Sequence, residues 1–319
     1  MQTRFNLKVI AAVAAAAAIT LPGLARADAI AQSILDISNF SFKAGDGASG
    51  GGASLVGNSG FTITSVVNSA DALAILNGVT ATTTGISLDS TPNRIACAGA
   101  GCPAVYVPGT KLLQPGGPTA TYVGSNGALS GNALLGTAHA LTDNTVSLFP
   151  TGVGSSQSNV NLNAVFSVNV TTSGQKLQTS FDALAFLRNN IDAKGSAQSS
   201  FGWVMDLYDS GSNVVFEWTP GKGAITSGAG TEYAAAFSLN KSGADLTSGP
   251  TMSAPLQFNP ASGYFEAETD VLAVGEYTLT IAQTGIANAS LVPEPGSLAL
   301  LGTGLLVAAL STRRRKPKA

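Results

Sequence analysis

The chain has 319 residues, of which 45% are hydrophobic and only 11% are charged, and its formal net charge is −2. That charge is unevenly placed: residues 28 to 292 hold 8 Lys/Arg against 17 Asp/Glu, 8 − 17 = −9, while both termini are basic. An acidic surface argues against nucleic acid or anionic lipid as partners of this central region, which is long enough to bury a sizeable core.

In chain order, Met1 to Lys8 carries Arg4 and Lys8, Val9 to Leu21 is apolar and Ala-rich, and Ala25-Arg26-Ala27 places small residues where a signal peptidase reads them. Residues 1–27 therefore read as a signal peptide with a short helix, cut after Ala27 so that the mature chain starts at Asp28.

From there alternation of apolar and polar residues prevails. Strands are expected at Ile34 to Phe42, Phe61 to Val67, around Phe166, Val168 and Val170, at Phe201 to Tyr208, Val214 to Trp218, Ala235 to Leu239, Tyr264 to Thr269 and Glu276 to Ile281. Asp209-Ser210-Gly211-Ser212-Asn213 reads as the turn of a hairpin. Asp71 to Asn77 and Asp182 to Asn190 read as short helices. Residues 43–160 look loop-rich, with Gly45 to Gly60 and Leu113 to Gly131 as long loops and the first of them expected to be mobile. The fold class is all-β, an antiparallel β-sandwich or jelly-roll-like ectodomain over residues 28–290, preferred as one discontinuous domain over two.

Candidate chemistry is sparse. Cys97 and Cys102, the only cysteines, read as a local disulfide in an oxidising compartment, because the intervening glycines let the chain turn back. His139 is the sole histidine and no Gly-x-Ser-x-Gly elbow accompanies it, so it reads as an ordinary loop or strand residue rather than a catalytic base. Glu266, Glu268 and Asp270 fall on one face of a strand, opposite Phe265, Ala267 and Thr269. The expectation there is a solvated outer face, with Ca²⁺ binding the weaker reading; no other metal and no cofactor is expected. Asp206 and Asp209 near Glu217 suggest a carboxylate pair of the glycosidase type only faintly, and no catalytic residue is assigned. Trp203, Trp218, Tyr208 and Tyr264 would make a sugar-stacking platform if exposed; burial is the favoured reading for the tryptophans.

The last segment, residues 291–319, has the strongest pattern. Pro293-Glu294-Pro295 precedes an uncharged apolar run from Gly296 to Leu310, and Arg313, Arg314, Arg315 and Lys316 follow. Fifteen helical residues reach roughly 22 Å, short of the ~30 Å hydrocarbon core, so a helix over about 296–312 is a marginal transmembrane span. The basic cluster acts as a stop-transfer signal on the cytoplasmic side and leaves the preceding residues outside the inner membrane.

An export signal, Pro293-Glu294-Pro295, a Gly/Leu/Ala helix and a terminal Arg cluster together closely resemble proteins of the PEP-CTERM sorting family. The resemblance implies an exosortase as partner, removal of the tail, delivery to the envelope or exterior, and a Gram-negative bacterium that commonly makes exopolysaccharide. It implies nothing about what the ectodomain binds. Two functions are expected: a non-enzymatic structural or adhesive envelope protein linked to exopolysaccharide or biofilm, or a Ca²⁺-assisted carbohydrate-binding module of the cell surface.

Overall fold

The structure is a computed structural model that describes residues 29–55, 57–87, 93–99, 102, 121–149, 151–168, 174–191, 195–221, 225–243 and 256–291. The expected signal helix and C-terminal helix lie outside these residues, and among the described residues no helix is long and apolar enough to cross a membrane.

Two antiparallel sheets of eight strands each make up the fold. Sheet A runs in the order β13 (Gly230–Ala235), β15 (Leu256–Thr269), β9 (Lys176–Ile191), β1 (Ala29–Gly45), β7 (Ala138–Leu148), β6 (Tyr122–Ser130) and β5 (Asn93–Gly99), with the short β2 (Ala53–Ser54) paired to β1. Sheet B runs β12 (Ile225–Gly228), β11 (Val214–Trp218), β10 (Gly195–Asp209), β16 (Gly275–Leu291), β8 (Gly152–Val168), β3 (Phe61–Leu76) and β4 (Val79–Ser87), with β14 (Lys241–Ser242) paired to β10. Each sheet joins a block of strands from the first half of the chain to a block from the second half.

The strands follow their alternation. In β16, Tyr277, Leu279 and Ile281 are buried while Thr278, Thr280 and Ala282 are less so, as a strand with one covered face requires. The hairpin between β10 and β11 turns at Ser210 to Asn213, where Ser212 has φ of 62° and Asp209 Oδ1 accepts from the backbone N–H groups of Gly211 and Asn213.

Several expectations are corrected. Asp71 to Asn77 falls mostly in β3, and Asp182 to Asn190 lies within β9, so neither is a helix. Both runs are rich in Ala and Leu, and pairing with two neighbouring strands overrides that local preference. Ala235 to Leu239 contributes only Ala235 to a strand. The described residues within 43–160 are largely strand rather than loop, and Tyr122 to Ser130 of the expected second loop is β6.

Inside the sandwich the core changes character along the strands. At one end Phe181 is the hub, with ring centroids 5.2 Å from Phe265, 4.9 Å from Trp203 and 5.7 Å from Trp218. At the other end the cluster is built largely from alanines, among them Ala31, Ala72, Ala74, Ala98, Ala287 and Ala289. Between them lies a belt of small and polar residues that ties the sheets together directly. Ser33 Oγ donates to the Ser200 carbonyl at 2.6 Å, Ser125 Oγ to the Gln157 carbonyl at 2.6 Å, and Gln283 Nε2 to the Leu35 carbonyl at 2.7 Å. Gly127 marks how close the sheets come, since a Cβ there would sit 2.7 Å from the Asp71 carbonyl oxygen of the opposite sheet.

Candidate functional site

The cleavage residues Ala25, Ala27 and Asp28, the motif Pro293, Glu294 and Pro295, and the basic cluster Arg313, Arg314, Arg315 and Lys316 all lie outside the described residues. The described chain ends at Leu291, the last residue of β16.

Cys97 and Cys102 form the expected disulfide, with Cα atoms 5.7 Å apart. Cys97 sits on β5, an edge strand of sheet A, so the bridge pins the chain where β5 ends.

The acidic face of β15 differs from its expected role. Asp270 is exposed and lies past the strand end, but Glu266 and Glu268 are each only 1% exposed, not solvated. Their cover is the glycine-rich segment after β1, which folds over them. Glu266 accepts from the Gly50 backbone N–H at 2.7 Å, from Ser49 Oγ at 2.7 Å and from Gln178 Nε2 at 2.7 Å. Glu268 accepts from the Gly47 backbone N–H at 2.9 Å and the Tyr233 hydroxyl at 2.9 Å, and pairs with Lys176 Nζ at 3.1 Å. Burial and the adjacent carboxylates push the Tyr233 hydroxyl up to about 12, so it stays a donor at any physiological pH. Residues 46–52 are therefore clasped, not free, and the carboxylates serve the chain's own backbone. Among the described residues no group of three or more His, Cys, Asp or Glu side chains is arranged to hold a metal ion.

Asp206 and Glu217 stand directly opposite each other on β10 and β11. Partial burial, then the Glu217 charge, raise the Asp206 pKa, against a lowering hydrogen bond from the Tyr208 hydroxyl. Asp209 does not join them; it is engaged in the hairpin turn, where the Asn213 side chain and backbone hold its pKa down. Their flanking residues Met205, Leu207, Phe216 and Trp218 fill the core, so the pair lies on the outward face of sheet B.

His139 is on β7 and its Nε2 lies 2.6 Å from Asp36 Oδ1 on β1. The hydrogen bond to Asp36 raises the imidazole pKa, with burial opposing it. Trp203 and Trp218 are 2% and 0% exposed, and Trp218 Nε1 donates to Glu232 Oε2 at 2.6 Å. Of the four aromatics considered for sugar stacking, Tyr264 is substantially exposed, at 43%.

Sequence reasoning missed the partners that make the β15 carboxylates structural: Gly47, Ser49, Gly50, Lys176, Gln178 and Tyr233. The available signal was the glycine run itself, whose free backbone N–H groups need acceptors once the segment packs down.

No curated protein and no solved structure matches the chain. The family model of the PEP-CTERM protein-sorting motif matches residues 291–316, taking up where β16 ends, and marks the chain as an exported protein addressed to an exosortase.

Proposed function

We propose that the chain is a non-enzymatic structural or adhesive component of the cell envelope or extracellular matrix. In this reading an exosortase removes its tail and releases the β-sandwich into an exopolysaccharide-rich setting. The observation that supports it best is the use made of the polar groups: Glu266 and Glu268 hold the chain's own 46–52 segment. The same economy applies to the aromatics, since Trp203 and Trp218 pack into the core. A Ca²⁺-assisted carbohydrate module would call for carboxylates facing a ligand and for exposed ring faces, and has less support.

Intact-mass measurement of the exported protein, in a host with its exosortase and in one without, tests the sorting step. Loss of the residues after the motif only in the first host is expected. An identical full-length mass in both would leave a plain membrane anchor. Binding of the exported protein on a glycan array then separates adhesion from an inert structural role.

A further inference from the structure

The sorting motif starts on the last residue of a strand, and that fixes the end of the sandwich from which the tail leaves. Leu291 is buried and pairs with Gly152 of β8 and Gly195 of β10. The uncharged run that begins at Gly296 is five residues on, a reach of at most about 18 Å. β16 is the middle strand of sheet B, and β4 at the edge stands three strands away, about 14 Å. A tether that short brings this end against whatever surface receives the tail, and a modest tilt lays one flank of it down.

The two flanks differ in chemistry. Ser290 has Val153 of β8 opposite it on one side and Ser196 of β10 on the other, so both stand equally near the root of the tail. Val153 is 58% exposed, and Ser196 is exposed too. On the Val153 side the Asn77-Gly78 turn is clipped to β8: the Asn77 backbone N–H donates to the Val153 carbonyl and the Val153 N–H to Asn77 Oδ1, each at 2.9 Å. That turn sets Val79, 68% exposed, on the same corner. Val79 to Thr82, Gly152 to Ser155, Gly195 to Gln198 and Asn288 to Leu291 carry no charge. The opposite end also exposes valines, Val271 and Val274, but sets them among Asp209, Asp270 and Glu276. An anionic surface repels that end and leaves the uncharged end free to approach.

We infer that, while the tail is uncut, the corner made by Val79 and Val153 rests in the headgroup region of the membrane, with the sandwich tilted onto its β8–β3–β4 flank. The contact rests on residues 291–316 being a membrane-inserted sorting tail. Two valines bind a bilayer weakly on their own, but the tether holds them beside it at a high effective concentration. Removal of the tail takes that concentration away, so the cut that frees the chain also lets the corner lift off.

The test uses the exported chain with its tail uncut, from a host without the exosortase, in vesicles of phosphatidylethanolamine and phosphatidylglycerol that contain a headgroup nitroxide lipid. The chain's own cysteines are bridged, so a single engineered cysteine takes the NBD fluorophore. Val79→Cys and Val153→Cys should show blue-shifted, quenched emission; Ser196→Cys should show much less of both, and Val274→Cys neither. Val153→Asp, combined with the label at position 79, should cancel the shift there. Each of these side chains is exposed, so the variants keep the core intact. Equal quenching at 153 and 196, with the chain bound to the vesicles, would overturn the contact alone. A chain that fails to float with the vesicles would overturn the anchored tail and the contact with it.

Discussion

Glu266 on β15 accepts a 2.7 Å hydrogen bond from the backbone N–H of Gly50, a residue 216 positions earlier in the chain. With Ser49 and Gln178 it makes three donors converging on one buried carboxylate. Glu266→Ala strands all three and should destabilise the protein by about 3 kcal/mol, in the range for charge-assisted bonds whose donors lose their acceptor. Chemical denaturation measures the loss, and limited proteolysis should show new cutting within residues 46–52. An unchanged midpoint with an uncut segment would mean the clasp contributes nothing.

The His139–Asp36 pair sets a pH dependence. Because the folded imidazole pKa lies above the ordinary histidine value of 6.5, the pair's stabilisation is complete below pH 6.5 and is lost as pH rises through the folded pKa. Both side chains are more than a third exposed, so solvent screening keeps the effect below about 1 kcal/mol. Since the chain has one histidine, its imidazole resonance can be followed alone by NMR. Asp36→Asn should move that titration down toward 6.5; a titration unmoved by the substitution would dissociate the two residues.

How much of this was legible beforehand follows from where each signal resides. The β10–β11 hairpin is legible because Val214 to Trp218 alternates cleanly and Asp209 to Asn213 has the side chains that close a turn. β9 is not: Asp182 to Asn190 reads as a short helix, and only its place between β1 and β15 forces it to extend. The polar belt is equally hidden, since Ser33, Ser125, Gly127 and Gln283 have the chemistry of loops while being buried between sheets. For the β15 carboxylates, alternation correctly puts Glu266 and Glu268 on one face. Their burial depends on a segment more than two hundred residues away, for which β15 itself carries no cue.

Gly127 should tolerate no side chain. A methyl group there meets the backbone carbonyl oxygens of Asp71 and Asn159 at 2.7 and 3.0 Å, both belonging to the other sheet, so the sheets themselves would have to separate. Gly127→Ala should cost about 1–3 kcal/mol. Thermal unfolding checks this, and a wild-type midpoint would show that the sheets part freely.

Reducing the Cys97–Cys102 bridge should cost up to about 2 kcal/mol, since the closed loop is short and removes little entropy from the unfolded chain. The effect should be local. Hydrogen exchange should accelerate in β5, an edge strand, while β1 and β16 keep their protection. Global loss of protection would mean that the bridge supports more than an edge.

Asp206→Asn removes one of two like charges set opposite each other and should stabilise the hairpin by a few tenths of a kcal/mol at neutral pH. Its folded pKa is raised, so the native pair recovers that stability as pH falls through it, and the gain from the substitution should vanish in acid. Equal gains at neutral and acidic pH would point to a cause other than charge.

β16 is paired to β8 along its whole length and to β10 from Tyr277 to Leu291, yet it follows both of them in the chain. During synthesis and export the two halves of sheet B therefore emerge with no strand between them. Sheet B is complete only once the chain has been made as far as Leu291, the residue at which the matched sorting motif begins. A chain cut short before β16 would leave β10 and β8 without the strand that joins them, so the last strand of the described fold is the one that closes sheet B.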